Sequence, residues 1–324
     1  MRALLGVLIS VVATLAILEF TTTEFTWKAV AAARLPFLFL AFLMQVIFWL
    51  LWALRIVVIA RGIGRSLPFA YAFQVTMASM FTAAITPSSA GGEPVRVKML
   101  SDAGISAGEA TFIVVTERLL DAVFFATALP IFVIATGFSS SLGLKVAAIF
   151  ASFLAAFIYI LYAIVKDERS IAKFSKLLGR LTSKFGRNVE SRVSEELRNF
   201  RSSALQVIRN TRNLLQLVAI TISMWSAGFM IPSLILLAFN SEPQFLYSYA
   251  AQLMIVVISL VPLTPGSSGI AEVSMAYLYS KFVPNNLLGV LVAIWRVITY
   301  HANILVGALF INFRLVRPEA LTPR

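Results

Sequence analysis

The 324-residue chain has no cysteine and one histidine, His301. Disulfides, thiolate metal centres and clustered His/Cys zinc sets are thereby excluded, although the absence of cysteine carries no information about compartment. Charge is scarce too. Asp, Glu, Lys and Arg make up 13% of the residues, against about 25% in soluble domains. Neither a Gly-x-Ser-x-Gly elbow nor a Walker loop occurs. Glu117 and Asp121 could form an acid/base pair on one helix face, but no nucleophile or metal partner accompanies them. His301, in the last apolar stretch, reads as a packed, hydrogen-bonded residue. Neither catalysis nor a cofactor nor a metal is expected.

What fills the chain instead is apolar. Hydrophobic residues make up 59% and the mean hydropathy is +0.88, the composition of an integral membrane protein. A helix needs about 20 apolar residues to cross about 30 Å of hydrocarbon, and it satisfies every backbone group internally, so an all-α fold follows. The apolar stretches run Ala3 to Leu18, Leu35 to Ile59, Ser66 to Gly92, Thr111 to Thr136, Val146 to Val165, Asn213 to Ser241, Pro243 to Ala271 and Phe282 to Phe313. The first is read as a retained span, since the small-residue pattern at Ala29 to Ala31 lies too far downstream for a signal-peptide cleavage site. Arg55, near the end of the second, is expected to snorkel to the interface.

The net charge is +12, and residues 166–212 hold twelve Lys or Arg against five Asp or Glu. The positive-inside rule places this block in the cytoplasm, with anionic lipid rather than nucleic acid as its partner. Within it Ile171, Phe174, Leu178, Leu181, Phe185, Val189, Val193, Leu197 and Phe200 recur at helical spacing. Amphipathic helices on the inner leaflet, helices packed under the bundle, or a solvated connector would each fit.

Charge bookkeeping then fixes the path. With Arg2, Arg61, Arg65, Arg314 and Arg317 inside, both ends of Ser66 to Ala110 are cytoplasmic, and both ends of Gln244 to Lys281 are external, as is the Thr21 to Arg34 loop. Neither segment can be a single span. The first contains "AITPSSAGGEPV" and the second "VPLTPGSSGIAEV", each a Thr-Pro, a Ser/Gly cluster and a glutamate. Arg118 follows Pro87 by as many residues as Arg296 follows Pro265. Broken helices in corresponding positions of oppositely inserted halves point to a transporter's central site, and non-helical backbone at membrane depth must face protein or a watery cavity. The expected fold is all-α integral membrane, with about six transmembrane helices plus two re-entrant broken-helix hairpins in an inverted repeat. A single membrane domain covers 1–324, with a first half at 35–136, the basic segment at 166–212 and a second half at 213–313. Both termini are expected in the cytoplasm of a multi-pass cell-membrane protein.

An arginine inside a span costs about 2.5–3.5 kcal/mol on insertion scales, so it faces the bundle interior with a partner. Arg118 and Arg296 are such residues. Their guanidinium forks could grip a lipid phosphate, assisted by helix N-termini after Gly92 and Gly269. Arg118 could equally pair with Glu117 and Asp121. Glu93 and Glu272 could be proton-coupled groups, ligands for a cationic headgroup, or helix caps.

The motif around Pro87, Gly91, Gly92, Glu93 and Arg96, followed by Glu117, Arg118 and Asp121, resembles the flippase-like transmembrane domain of the lysylphosphatidylglycerol synthase family. So does the later set Thr264, Pro265, Gly266, Gly269 and Glu272, with Trp295, Arg296, Thr299 and Tyr300 downstream. The resemblance covers nearly the whole chain and is specific in combination. It implies translocation of a lipid: an aminoacylated phospholipid in some members, and polyprenyl-linked or glycosylated lipids as proposed for others. Unlike the fused members, this sequence carries no soluble aminoacyl-transferase or glycosyltransferase domain. The candidate substrate-binding residues are Pro87, Gly91, Gly92, Glu93, Arg96, Glu117, Arg118, Asp121, Thr264, Pro265, Gly266, Gly269, Glu272, Arg296 and Tyr300. The implied partner is an anionic or zwitterionic membrane lipid, including polyprenyl-linked ones. A second copy of the chain or a separate lipid-modifying enzyme could join it. A non-transporting scaffold and a small-anion transporter are the competing readings.

Overall fold

The structure, a computed structural model, describes residues 2–86, 91–137, 189–260 and 264–313, together with some positions between 145 and 162. Among these residues the protein is all-α. Helix α1 (Arg2–Thr21) is followed after a bend of 110° by the short α2 (Glu24–Ala31). The stretch read as an external loop thus contains a helix, because Thr23 caps it and Thr26 Oγ1 both accepts from Thr23 N and donates to Asn286 O. Phe20, Phe25 and Trp27 stay exposed along this corner, and Trp27, an apolar ring with a polar N–H, is of the type enriched at membrane interfaces.

Three long spans follow: α3 (Leu35–Gly62), α6 (Ala107–Thr136) and α8 (Thr211–Ala238). A fourth, Asn285–Ile311, consists of α11 (Asn285–Arg296), a π-helical turn (Val297–His301) and most of α12 (Ala302–Phe313). These four are long and apolar enough to cross a membrane, and α1 with α2 would make a fifth. The span expected over 146–165 lies largely outside the described residues. Local chemistry sets the ends. Pro36 opens α3, a Ser106/Glu109 capping box opens α6, and Gly137 closes it in the left-handed conformation.

Between the spans lie shorter helices. Helices α4 (Phe69–Ala84, 16 residues) and α5 (Gly92–Asp102, 11 residues) are separated by the first Thr-Pro break. Helices α9 (Phe245–Ser259, 15 residues) and α10 (Ile270–Tyr279, 10 residues) flank the second. At 1.5 Å per residue the longest of these reaches only about 24 Å, short of the bilayer core. Each pair turns back on itself. Tyr71 Oη donates to Met99 O across the base of the first hairpin, and Ser248 Oγ and Tyr279 Oη share a 2.7 Å hydrogen bond across the base of the second.

The hairpins also reach each other, since Gly266 N donates to Thr86 O, and the π turn of the fourth span joins them through Tyr300 Oη, which donates to Ala84 O. The first packs on α12, α3 and α6; the second packs on α6, α8 and α11, with α1 against α10 and α11. Around them α3 and α8 pack along their lengths. One apolar core gathers α6, α8, α9, α10 and α11, and a second gathers α3, α4, α6 and α7 (Val189–Arg209). That last helix is packed under the bundle rather than lying free, with Phe200, Ala204 and Val207 buried against α3 and α6. The remainder of the basic segment, 166–188, lies outside the described residues.

Candidate functional site

Helix α6 presents Glu117 and Asp121 one turn apart on a buried face, and three arginines converge on them. Arg55 of α3 donates from Nη1 to Asp121 Oδ1 at 2.6 Å, and its Nε lies 3.5 Å from Glu117 Oε1. Arg96 of α5 donates from Nη1 to Glu117 Oε2 at 2.8 Å and from Nη2 to Ser79 Oγ at 2.6 Å. Arg118 pairs with Glu93 at 3.3 Å and with Asp121 at 3.4 Å. Indole donors complete the set: Trp52 Nε1 to Glu117 at 2.7 Å and Trp225 Nε1 to Asp121 at 2.8 Å. The Trp52 ring also sits 5.0–5.7 Å from all three guanidinium carbons, within cation–π range. Arg55, Arg96 and Arg118 therefore balance Glu93, Glu117 and Asp121, which is what makes so many charges tolerable away from water.

Arg55 is not a snorkelling residue. It is wholly buried, because α3 continues to Gly62 and brings Arg55 level with α6, where Asp121 and Glu117 offer more than the interface would. Hydropathy along α3 gives no hint of this. Trp52, three residues before Arg55 and within cation–π range of it, is the signal that could have found it.

The second cluster is smaller. Arg296 Nε donates to Glu272 Oε1 at 2.7 Å, and Ser10 of α1 donates to the same oxygen at 2.5 Å. Glu272 Oε2 accepts from Gly269 N at 2.7 Å, so this carboxylate is both a helix cap and the partner of Arg296. The guanidinium carbon of Arg296 lies 4.3 Å from the centroid of the Tyr300 ring, which the π turn carries. A π turn inserts a residue into the helical ladder, a device frequent at functional sites. Arg296 Nη2 is buried with no hydrogen-bond partner.

A cavity of about 410 Å³ lies between the two clusters, walled by both hairpins. Of the residues singled out from the sequence, Gly92, Glu93, Arg96, Arg118, Gly266, Trp295, Arg296, Thr299 and Tyr300 line it. Glu117, Asp121 and Glu272 sit behind the arginines, outside the lining. Gly91 and Gly269 face their own breaks: Gly91 N donates to Thr86 Oγ1, and Gly269 N to Glu272. Thr264 and Pro265 belong to the second break without lining the cavity, and Pro87 lies outside the described residues. The sequence reading missed Trp52, Ser79 and Trp225, together with Gln45 and Asn303, an amide pair at 3.3 Å on the cavity wall. Apolar side chains complete the wall, among them Phe48, Phe229, Ile255 and Val256. Among the described residues no three His, Asp or Glu side chains converge in the manner of a metal site.

Two broken hairpins meeting beside a cavity lined by arginines, inside a bundle of apolar spans, define a multi-pass α-helical membrane protein with a polar interior site. The chain belongs to the family described as the lysylphosphatidylglycerol synthase transmembrane region, whose pattern matches residues 3–307. It is 53% identical to a UPF0104 membrane protein of Archaeoglobus fulgidus, over 98% of each chain. It is also 22% identical to UPF0104 membrane protein PH1989 of Pyrococcus horikoshii, over 96% of this chain and 97% of that one. With UPF0104 membrane protein MJ1595 of Methanocaldococcus jannaschii the identity is 26%, over 96% and 94%.

Proposed function

We propose that the protein is a flippase of the cell membrane: it binds the phosphate headgroup of an anionic or zwitterionic lipid in the central cavity and moves it between leaflets, without covalent chemistry. One observation carries the reading. The charges are layered: Arg96, Arg118 and Arg296 stand on the cavity wall with Glu93 as the one carboxylate among them, and Glu117, Asp121 and Glu272 lie behind. Such layering turns an excess of positive charge, three arginines against one glutamate, toward the void while keeping each cluster neutral overall. A phosphate stripped of water needs this replacement, since an isolated buried charge is prohibitively costly. The unpartnered Arg296 Nη2 is a donor awaiting an acceptor. The Phe48, Phe229, Ile255 and Val256 side of the cavity suits a ligand with an apolar portion, which favours a lipid over a free anion.

In this reading the two hairpins, inserted from opposite faces as parts of the halves 35–136 and 213–313, bring their breaks to a shared central site. Reconstitution in liposomes containing a headgroup-labelled lipid, followed by chemical quenching of the outer leaflet, tests it. Loss of label faster than in protein-free liposomes is expected for a phospholipid or a polyprenyl phosphate. Rates equal to those of empty liposomes across both lipids, with and without an ion gradient, would favour a scaffold for a separate lipid-modifying enzyme. Anion flux without lipid movement would favour a small-anion transporter.

A further inference from the structure

The two hairpins repeat one arrangement in opposite settings. Each begins its second helix with a glutamate in the first turn, Glu93 in α5 and Glu272 in α10. Each glutamate is ion-paired with the arginine of the span that follows, Glu93 with Arg118 and Glu272 with Arg296. The side chains of Glu93 and Arg118 are 36% and 37% exposed, whereas those of Glu272 and Arg296 are 0% and 7% exposed. The buried pair is sealed from one side by α1, whose Ser10 donates to Glu272 and whose Ile9 Cγ2 would lie 3.3 Å from a Cβ placed on Gly269. Backbone differs as well. Arg118 sits within continuous α-helix, while Arg296 immediately precedes the π turn, the point where the span's hydrogen-bond ladder is interrupted.

We infer that the two Glu–Arg pairs are alternate gates of the one cavity: the buried pair holds its side shut, and a transport cycle exchanges which pair is buried. The inference rests on the flippase reading for what passes through, and on the geometry for the exchange. Two chemically equivalent pairs in unequal surroundings describe one of two states related by the inverted halves. In the other state Glu93–Arg118 would be covered and Glu272–Arg296 would open. A ligand anion at Arg118 competes with Glu93 for the same guanidinium, so binding bears directly on the first gate. Rearrangement of the π turn would supply the local movement at the second. Each gate then stabilises the state in which it is buried, so weakening either should shift the population in opposite directions.

The cysteine-free chain makes this measurable. Single cysteines at Ala83, on the cavity wall, and at Ser268, buried beside the second break, are modified in the reconstituted full-length protein with a water-soluble methanethiosulfonate reagent. Without further change, Ala83→Cys reacts faster than Ser268→Cys. Adding Glu272→Gln is expected to raise the Ser268→Cys rate by at least about fivefold, the lower end of typical coupling between two states, and to slow Ala83→Cys. Adding Glu93→Gln should move both reporters the other way. Ser10→Ala removes one hydroxyl and leaves both pairs intact. It should act like a weaker Glu272→Gln, and it replaces that variant if glutamine at 272 prevents folding. Reporters that rise together, fail to move, or respond alike to the two glutamine variants overturn the inference. The assay contains no labelled lipid, so cysteine reactivity is read independently of transport. Opposed shifts in a protein that moves no lipid would retain the gates and discard the flippase reading. Lipid transport with unresponsive reporters would do the reverse.

Discussion

A guanidinium that only neutralises a buried carboxylate and one that must also meet a ligand place different demands on the same side chain. Arg55 does the first: it is buried among Asp121, Glu117 and Thr221 and does not line the cavity. Lysine's three N–H donors radiate from one nitrogen and cannot span the acceptors that the separate guanidinium nitrogens reach, so Arg55→Lys should lower stability, by up to the roughly 3–5 kcal/mol typical of disrupting a buried pair. Thermal unfolding in detergent should register this even where no transport is assayed. Arg118 is over a third exposed, and its pairs are worth about 0–1 kcal/mol at such sites. Arg118→Lys should therefore unfold close to the wild-type temperature yet, on the proposed function, slow lipid movement by roughly tenfold or more, since the planar fork that would grip phosphate is gone. An Arg118→Lys variant with full transport would reduce Arg118 to a counter-ion. Backbone makes a similar contrast. Gly266 and Gly104 both have positive φ, but a Cβ at Gly104 meets open space, whereas at Gly266 it would lie 2.7 Å from Ala84 O and 2.6 Å from the Tyr300 ring. Gly104→Ala should cost only the roughly 1–2 kcal/mol of left-handed backbone. Gly266→Ala should cost visibly more in the same unfolding assay, because the two breaks must separate to admit it.

At the scale of elements, α7 acts as a brace. Glu196 accepts from Gly108 N at 2.5 Å in the first turn of α6, Phe112 and Phe200 meet edge to face, and the Glu196 main chain lies where a Cβ on Gly108 would have to go. A carboxylate at a helix N-terminus is favourable, and here it ties a surface helix to the span that carries Glu117, Arg118 and Asp121. Gly108→Ala should push α7 away, exposing Phe200 and Val207. Faster amide exchange across 194–207 in the variant would register that, and unchanged exchange would show that the contact yields without undocking. The docking of α7 was legible only as a period. The spacing of Val193, Leu197 and Phe200 marks an apolar face but does not say what covers it. Hairpins were legible more fully. Thr-Pro, glycine and a glutamate interrupt otherwise greasy runs, and charge on both flanks of each run forces a return. The partners of the arginines were not, because pairing depends on which helix arrives alongside. Arg118 with Asp121 is visible at three residues' separation, but Arg55 with Asp121 and Arg296 with Glu272 are made by packing between distant segments.

For the whole molecule, contacts sort the helix ends into two groups. At one end Arg65 pairs with Glu109 at 3.0 Å, α7 docks on the start of α6, and the base of the first hairpin closes through Tyr71 and Met99. At the other, Arg34 N donates to Ala238 O, Thr26 reaches Asn286 O, and the second hairpin closes through Ser248 and Tyr279. Helix α3 runs from the second group to the first, so the hairpins enter from opposite ends and meet where Gly266 N finds Thr86 O. The first group holds Arg61, Arg65, Lys98, Arg198, Arg201 and Arg212 with Asp102, Glu109, Glu195 and Glu196; the second holds Lys28, Arg34 and Lys281 with Glu24 and Glu242, so Lys and Arg are the more numerous in the first. On the positive-inside rule the first group is expected to face the cytoplasm. Single cysteines at two exposed serines test this orientation with little perturbation: Ser280, just past α10, and Ser202, on the outer face of α7. An impermeant maleimide applied to intact cells should label Ser280→Cys and should reach Ser202→Cys only after permeabilisation. The opposite pattern would invert the molecule in the membrane. Labelling of both in intact cells would mean that these two ends do not face opposite sides, and the half-span reading of the hairpins would fail with it.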